Sequence, residues 1–354
     1  MITLADIFGQ DAAVNWLTQA YAENRLPHGL IFAGPTGVGK ATAARALAAV
    51  FLCEKPKSAN PPTPCGKCPS CTIFATDNHP DLHVIYKELI RLTKPDSVAR
   101  DLAVDVMRDY LLIPAARKPN MGRGKVFIIE QADLMNPQAQ NACLKTLEEP
   151  EGRKLIILLT DQVNSLLPTI RSRCQTVNFG CLPEPLVHKE LEKRGLNKTD
   201  AADTAAFTDG SLGVALRWHE EGILPHAREL RKRIDALIAG KGAQDLPEWL
   251  KAAADDYVER QIKRDKATSK TQATRDALMI YFRLAAQRFR SHLAETDDPD
   301  QLEHACAAID ALARSEQFLE SNVNIPLIFQ QLAVTLDRLF VRALHSARHG
   351  SQPR

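Results

Sequence analysis

One stretch constrains this chain more than any other. Four apolar residues, Leu30-Ile31-Phe32-Ala33, run into Gly34-Pro35-Thr36-Gly37-Val38-Gly39-Lys40, and an Ala- and Leu-rich segment follows. A strand that turns through glycines into a helix makes a phosphate loop. The glycines let backbone N–H groups face an anion, the helix N-terminus adds partial positive charge, and Lys40 reaches the terminal phosphates. The bland alternative is an ordinary glycine turn. The helix is expected to bury Ala44, Leu47, Ala48 and Phe51 along one stripe.

Further apolar runs at 82–86, 126–129 and 155–159 alternate with helical spacing, which predicts a parallel sheet covered on both faces. Beyond about 180 no strand is expected. From 243 to 349 there is none of the chain's 17 glycines and three prolines (Pro247, Pro299, Pro326), so long helices are expected. Turn residues at Gly180-Cys181-Leu182-Pro183, and at Gly222 and Pro225, divide the 354 residues into 1–180, 181–222 and 223–349, with a frayed end. Lys+Arg 45 against Asp+Glu 43 leaves a net charge of +2, which excludes a broadly basic nucleic-acid coat or a polybasic membrane anchor. The first ten residues carry no basic run before an apolar stretch. No apolar run nears the roughly 20 residues of a membrane span. A soluble, cytoplasmic chain with no membrane partner is expected.

The loop lacks two groups that turnover requires. Ala41 stands where a Ser or Thr hydroxyl would hold Mg²⁺, and Thr42 comes one residue late. The strand that would carry the metal-binding acid and the water-activating base reads Ile128-Ile129-Glu130-Gln131-Ala132-Asp133. Glu130 can still reach a metal, but the Gln131 amide cannot accept a proton near neutral pH. ATP or ADP can be held at residues 34–40; hydrolysis by this chain alone is not expected.

Four of the eight cysteines form Cys53-x11-Cys65-x2-Cys68-x2-Cys71. Four soft thiolates at short spacing fit tetrahedral Zn²⁺ of the closed, structural kind, with no position left for a reacting water. An iron–sulfur cluster is the alternative, and unliganded loop thiols the bland reading. His28, His79 and His83 are spare beside a site already closed by sulfur. Cys143 and Cys174 are expected to pack as small apolar residues. The basic stretches 228–233 and 261–275 (Lys263, Arg264, Lys266, Lys270) read as solvated helix faces, with a DNA-backbone contact as the alternative.

Several motifs now stand together: Gly9-Gln10 with Leu26-Pro27-His28, the phosphate loop, the four-cysteine insert after its helix, Asn141-Ala142-Cys143-Leu144-Lys145-Thr146-Leu147-Glu148-Glu149-Pro150, and Pro168-Thr169-Ile170-Arg171-Ser172-Arg173-Cys174. As a set they resemble the clamp-loader branch of the AAA+ ATPases, and within it the δ′ (delta-prime) subunits of bacterial DNA polymerase III. The likeness covers residues from about 5 to 180.

The resemblance implies an α/β P-loop (AAA+) domain with a parallel sheet, a small helical lid and an all-α collar that holds subunits in a ring. It implies a non-hydrolysing stator that works with γ/τ and δ subunits to load the sliding clamp on primed DNA. It also implies that the arginine of Ser172-Arg173-Cys174 is donated to a neighbour's nucleotide. A guanidinium suits that role because it always carries its charge and can bond two phosphate oxygens. The alternative for Arg173 is a local carboxylate partner, and Arg171 is its nearest competitor.

Gly213 follows Gly210-Ser211-Leu212 where γ/τ-like subunits carry a nucleotide-sensing arginine, so a third element of a working site is missing. Thr160 falls at the family's first sensor position. A γ/τ-type ATPase and a zinc-dependent nucleic-acid-binding module remain as other readings.

Overall fold

The computed structural model describes residues 1–94, 101–242, 244–264, 269–321 and 324–342. Lys266 and the expected frayed end lie outside them. Five strands, β1 (Gly29–Ala33), β2 (Leu82–Ile85), β3 (Lys125–Ile129), β4 (Lys154–Thr160) and β5 (Gln175–Asn178), form one sheet in the order β2-β3-β4-β1-β5. Every pairing is parallel, with Ile31 opposite Leu158 and Ile128 opposite Ile157.

The alternation of each strand distributes its side chains between two cores. Leu30, Phe32, Val126, Ile128, Leu155 and Ile157 pack on one face with Leu47, Ala48 and Phe51 of the helix Lys40–Leu52. Ile31, Phe127, Ile129, Ile156 and Leu158 pack on the other with Met107, Leu111, Cys143 and Leu147. All seven residues of β4 are buried, as are all five of β1 and of β3. Near-continuous apolar runs are what a sheet covered on both sides requires. The edge strand β5 is not such a run. Val177 alone of its four residues is buried, and no apolar pattern marks it in the sequence.

Two compact units emerge. One comprises residues 1–187 together with 210–214; the other comprises 188–209 and the residues from 215 onward. The second unit is helical, with Leu224–Ile238, Leu246–Arg264, Lys270–Glu295, Pro299–Glu320 and Ile325–Asp337 as its long elements. Pro247, Pro299 and Pro326 each stand at the first or second position of a helix, where a missing N–H costs nothing. Tyr281, Phe282 and Phe289 are fully buried in this unit. Arg228 is already paired with Asp200 (2.7 Å) and Asp203 (2.6 Å), and Arg233 with Glu229 and Asp245. The two arginines thus spend charge within the fold. Among the described residues no helix is long and apolar enough to cross a membrane.

Candidate functional site

In a parallel sheet of this order, ligands sit at the carboxyl ends of the strands. The phosphate loop leaves β1 at that end, and the Gly34 N–H donates to Thr160 O at the end of β4 (3.1 Å). Gly34, Gly37 and Gly39 have φ of 151°, 79° and 106°, a region other residues rarely enter. No side chain caps the helix that Gly39 starts. The loop shape of a phosphate cradle is therefore present.

Its side chains and carbonyls, however, are engaged from within. The Lys40 ammonium donates to the carbonyls of Gly34 and Pro35, the latter at 2.7 Å. Burial pulls Lys40 below the usual lysine range, against the opposing pull of Asp161 and Asp133. The Thr36 hydroxyl donates to the Asp161 carboxylate (3.1 Å). From far along the chain, Ser211 Oγ donates to Thr36 O (2.7 Å) and the Gly213 N–H to Gly37 O (2.8 Å). Gln10 adds a second tie: its amide donates to Val38 O (3.1 Å) and Gly180 O (2.7 Å), and accepts from the Gly180 N–H (3.0 Å). Ala41 and Gln131 are exposed; neither offers a metal-binding hydroxyl or a base. Burial raises the Glu130 carboxyl, opposed by Arg45.

The four cysteines of the insert converge. Their sulfurs all lie within 4.8 Å of one another, with Cys65 Sγ and Cys71 Sγ 3.9 Å apart, and all four are free of disulfides. Tetrahedral zinc with sulfur at ~2.3 Å sets sulfurs about 3.8 Å apart, so the cluster has the size of that cage. Backbone N–H groups serve the sulfurs: Lys67 and Cys68 donate to Cys65 Sγ (3.5 and 3.4 Å), Cys65 to Cys53 Sγ (3.2 Å), and Cys71 to Cys68 Sγ (3.4 Å). The donors on Cys65 bring its thiol down to about 6, the thiolate range a metal needs. Burial moves Cys53 and Cys71 the opposite way, so two buried sulfurs without a cation are held protonated.

Ser70 braces this hairpin. Its hydroxyl donates to Leu52 O (2.9 Å) and accepts from His79 Nε2 (2.9 Å), while His79 Nδ1 accepts the Asp81 N–H (3.1 Å). That assigns His79 a neutral, bracing role. His83 stacks on Phe127 at 4.8 Å, and the His28 Nε2–H donates to Leu147 O (2.5 Å); neither is among the clustered metal-ligating residues. Cys143 and Cys174 are buried, and burial pushes both up to about 12.

Arg173 lies just beyond the helix Pro168–Arg171, with its side chain 34% exposed. Its Nη2 pairs with the Glu148 carboxylate, and its Nη1 donates to Thr169 O (2.9 Å) and Ser172 Oγ (3.2 Å). Among the described residues, Arg171 reaches Asn164 Oδ1 (3.2 Å) and no carboxylate. The carboxylate partner that the sequence left open is therefore real, and it is Glu148.

A sequence family described as "DNA polymerase III, delta subunit" matches residues 9–183. The delta′ subunit of DNA polymerase III from Pseudomonas aeruginosa is 34% identical over 239 residues, covering 66% of this chain and 68% of that protein. The chain belongs to the DNA polymerase III delta′ family. A delta′ subunit from Bacillus subtilis is 34% identical over half of its own length. The tau/gamma subunit of Haemophilus influenzae is 33% identical, with the match spanning 25% of that longer protein. A solved gamma subunit-related protein from Thermotoga maritima aligns with 91% of the chain at a TM-score of 0.45 and 17% identity. For this member of the delta′ family, the matched region takes in the phosphate loop, the cysteine hairpin, Glu148 and Arg173 together.

Proposed function

We propose that the chain is the non-hydrolysing δ′ subunit of a clamp loader: a stator that joins γ/τ and δ subunits, helps load the sliding clamp on primed DNA, and donates Arg173 to a neighbour's ATP. The observation that carries this reading is a contrast within one domain. The phosphate loop keeps its shape yet has Ala41 for the metal hydroxyl, Gln131 for the base and Lys40 turned onto its own carbonyls, whereas Arg173 stands at the surface. A chain of that kind can complete a site but not run one. The four cysteines would hold Zn²⁺, which supplies cross-linking of the hairpin and no chemistry. Any nucleotide at residues 34–40 would be held without turnover. A three-part division at 180 and 222, a cytoplasmic location, and DNA contact made through the complex belong to the same reading.

The test is ATP hydrolysis, stimulated by clamp and primed DNA, in the complex reconstituted with this chain and with its Arg173→Ala variant. Donated arginines in phosphoryl transfer are worth roughly 10³–10⁵ in rate. A loss of about 10³ is expected with assembly intact, and no phosphate release by the isolated chain. Full rate with Arg173→Ala in an assembled complex, or turnover by the chain alone, overturns the reading.

A further inference from the structure

The surroundings of Arg173 form a frame. The helix Pro137–Glu148 ends at Glu148, and His28, one residue before β1, fixes that end through Leu147 O. Gly29 stands where an added Cβ would meet Cys174 Sγ at 3.0 Å, Arg173 O at 3.2 Å and Leu147 Cδ2 at 3.4 Å. The start of β1, the end of the Glu148 helix and the backbone of Arg173 are therefore packed at close quarters. A side chain at 29 would push them apart.

Within that frame the guanidinium is held at two of its three nitrogens. Nη1 gives its hydrogens to Thr169 O and Ser172 Oγ, and Nη2 is taken by Glu148. Nε is buried and has no partner among the described residues. A buried donor without an acceptor is uncommon; three of the five N–H groups of the guanidinium are engaged, which leaves Nε–H and one N–H of Nη2. Carbonyl and hydroxyl contacts fix one end of the fork, but the carboxylate alone among these partners carries the opposite charge.

We infer that Glu148 is the positioning residue of Arg173: its carboxylate holds the guanidinium in place before a neighbouring nucleotide arrives. This rests on the reading of Arg173 as a donated arginine. Without Glu148, the long side chain regains rotamers that must be frozen again at each encounter.

The experiment is a double-mutant cycle in the reconstituted complex, with assembly verified for every variant. Glu148→Ala is expected to lower kcat roughly tenfold, a part of the roughly thirtyfold that full release of an arginine's rotamers amounts to, since Thr169 O and Ser172 Oγ still hold Nη1, with the KM for ATP unchanged. Glu148→Gln, which keeps an acceptor oxygen but no charge, should fall between wild type and Glu148→Ala. In an Arg173→Ala background, Glu148→Ala should remove nothing more. Wild-type kcat in both Glu148 variants, while Arg173→Ala is slow, overturns the positioning role and leaves the donated arginine standing. An equal loss with and without Arg173 makes Glu148 structural, which also overturns it. A fast Arg173→Ala complex instead brings down the functional reading itself.

Discussion

The phosphate loop and the cysteine hairpin lie at opposite ends of one helix, Lys40–Leu52, and they are finished in opposite ways. At the loop, side chains and carbonyls find partners inside the chain: Lys40 on Gly34 and Pro35, Thr36 on Asp161, Ser211 and Gly213 on the loop carbonyls. At the hairpin, N–H groups donate to the sulfurs of Cys53, Cys65 and Cys68, and four sulfurs crowd within 4.8 Å of one another. A loop clasped through its side chains and carbonyls keeps its shape without a ligand. A site of four clustered thiols does not, because protonated sulfurs at that spacing gain little from one another.

The largest test of that contrast is metal removal. A closed site of four thiolates is worth on the order of 10 kcal/mol to the segment it folds. Chelation, or Cys68→Ser, should therefore release about one zinc per chain and lower the melting temperature. Removing nucleotide from the preparation should leave that temperature where it was. A chelator-insensitive melt would erase the difference between the two sites.

Next in size is Gly37→Ala. The residue has φ of 79°, and an added Cβ would overlap Ser211 Oγ and crowd the Val214 N–H. A loss of about 1–3 kcal/mol in denaturant unfolding is expected, from a strained backbone together with a displaced clasp. Adding Ser211→Ala should return only the steric share. If Gly37→Ala is neutral, the loop is not held from outside itself.

The smallest effect is an acid slope that belongs to the hairpin side. Burial holds His79 and His83 below their ordinary value of 6.5. The unfolded chain then takes up protons that the folded chain refuses, so stability present above pH 6.5 declines as pH falls toward the lower folded values. Unfolding free energies measured between pH 7 and 5 should show the decline, and His83→Phe should shallow it. A flat profile would remove these histidines from the comparison.

The sequence made plain whatever depends on residues close together in the chain. Buried strands β1, β3 and β4 are readable because both faces are covered, the edge strand β2 because Leu82, Val84 and Ile85 are apolar, and the cysteine set because its spacing alone draws four sulfurs into one place. β5 was not legible, since Val177 is the one apolar residue among Gln175, Thr176, Val177 and Asn178. Long-range ties were equally hidden. Ser211 meets Thr36 across 175 positions and Gln10 meets Gly180 across 170, and short polar side chains of this kind look like any surface residue. Glu148 lies in the Asn141–Pro150 motif, yet nothing in its spacing from Arg173 announced the pairing. Asp161 gave no signal at all before its contact with Thr36.

The clasp on the phosphate loop has a consequence for how this molecule can be cut or recombined. The first unit leaves off after Val187 and recovers only five more residues, Gly210–Val214. Those five carry Ser211 and Gly213. A gene fragment ended at the turn near 180 would encode the whole sheet yet omit the pieces that close over Gly37. The inheritable module of this fold is accordingly longer than its strands, and a fusion or truncation that respects it must run past Val214.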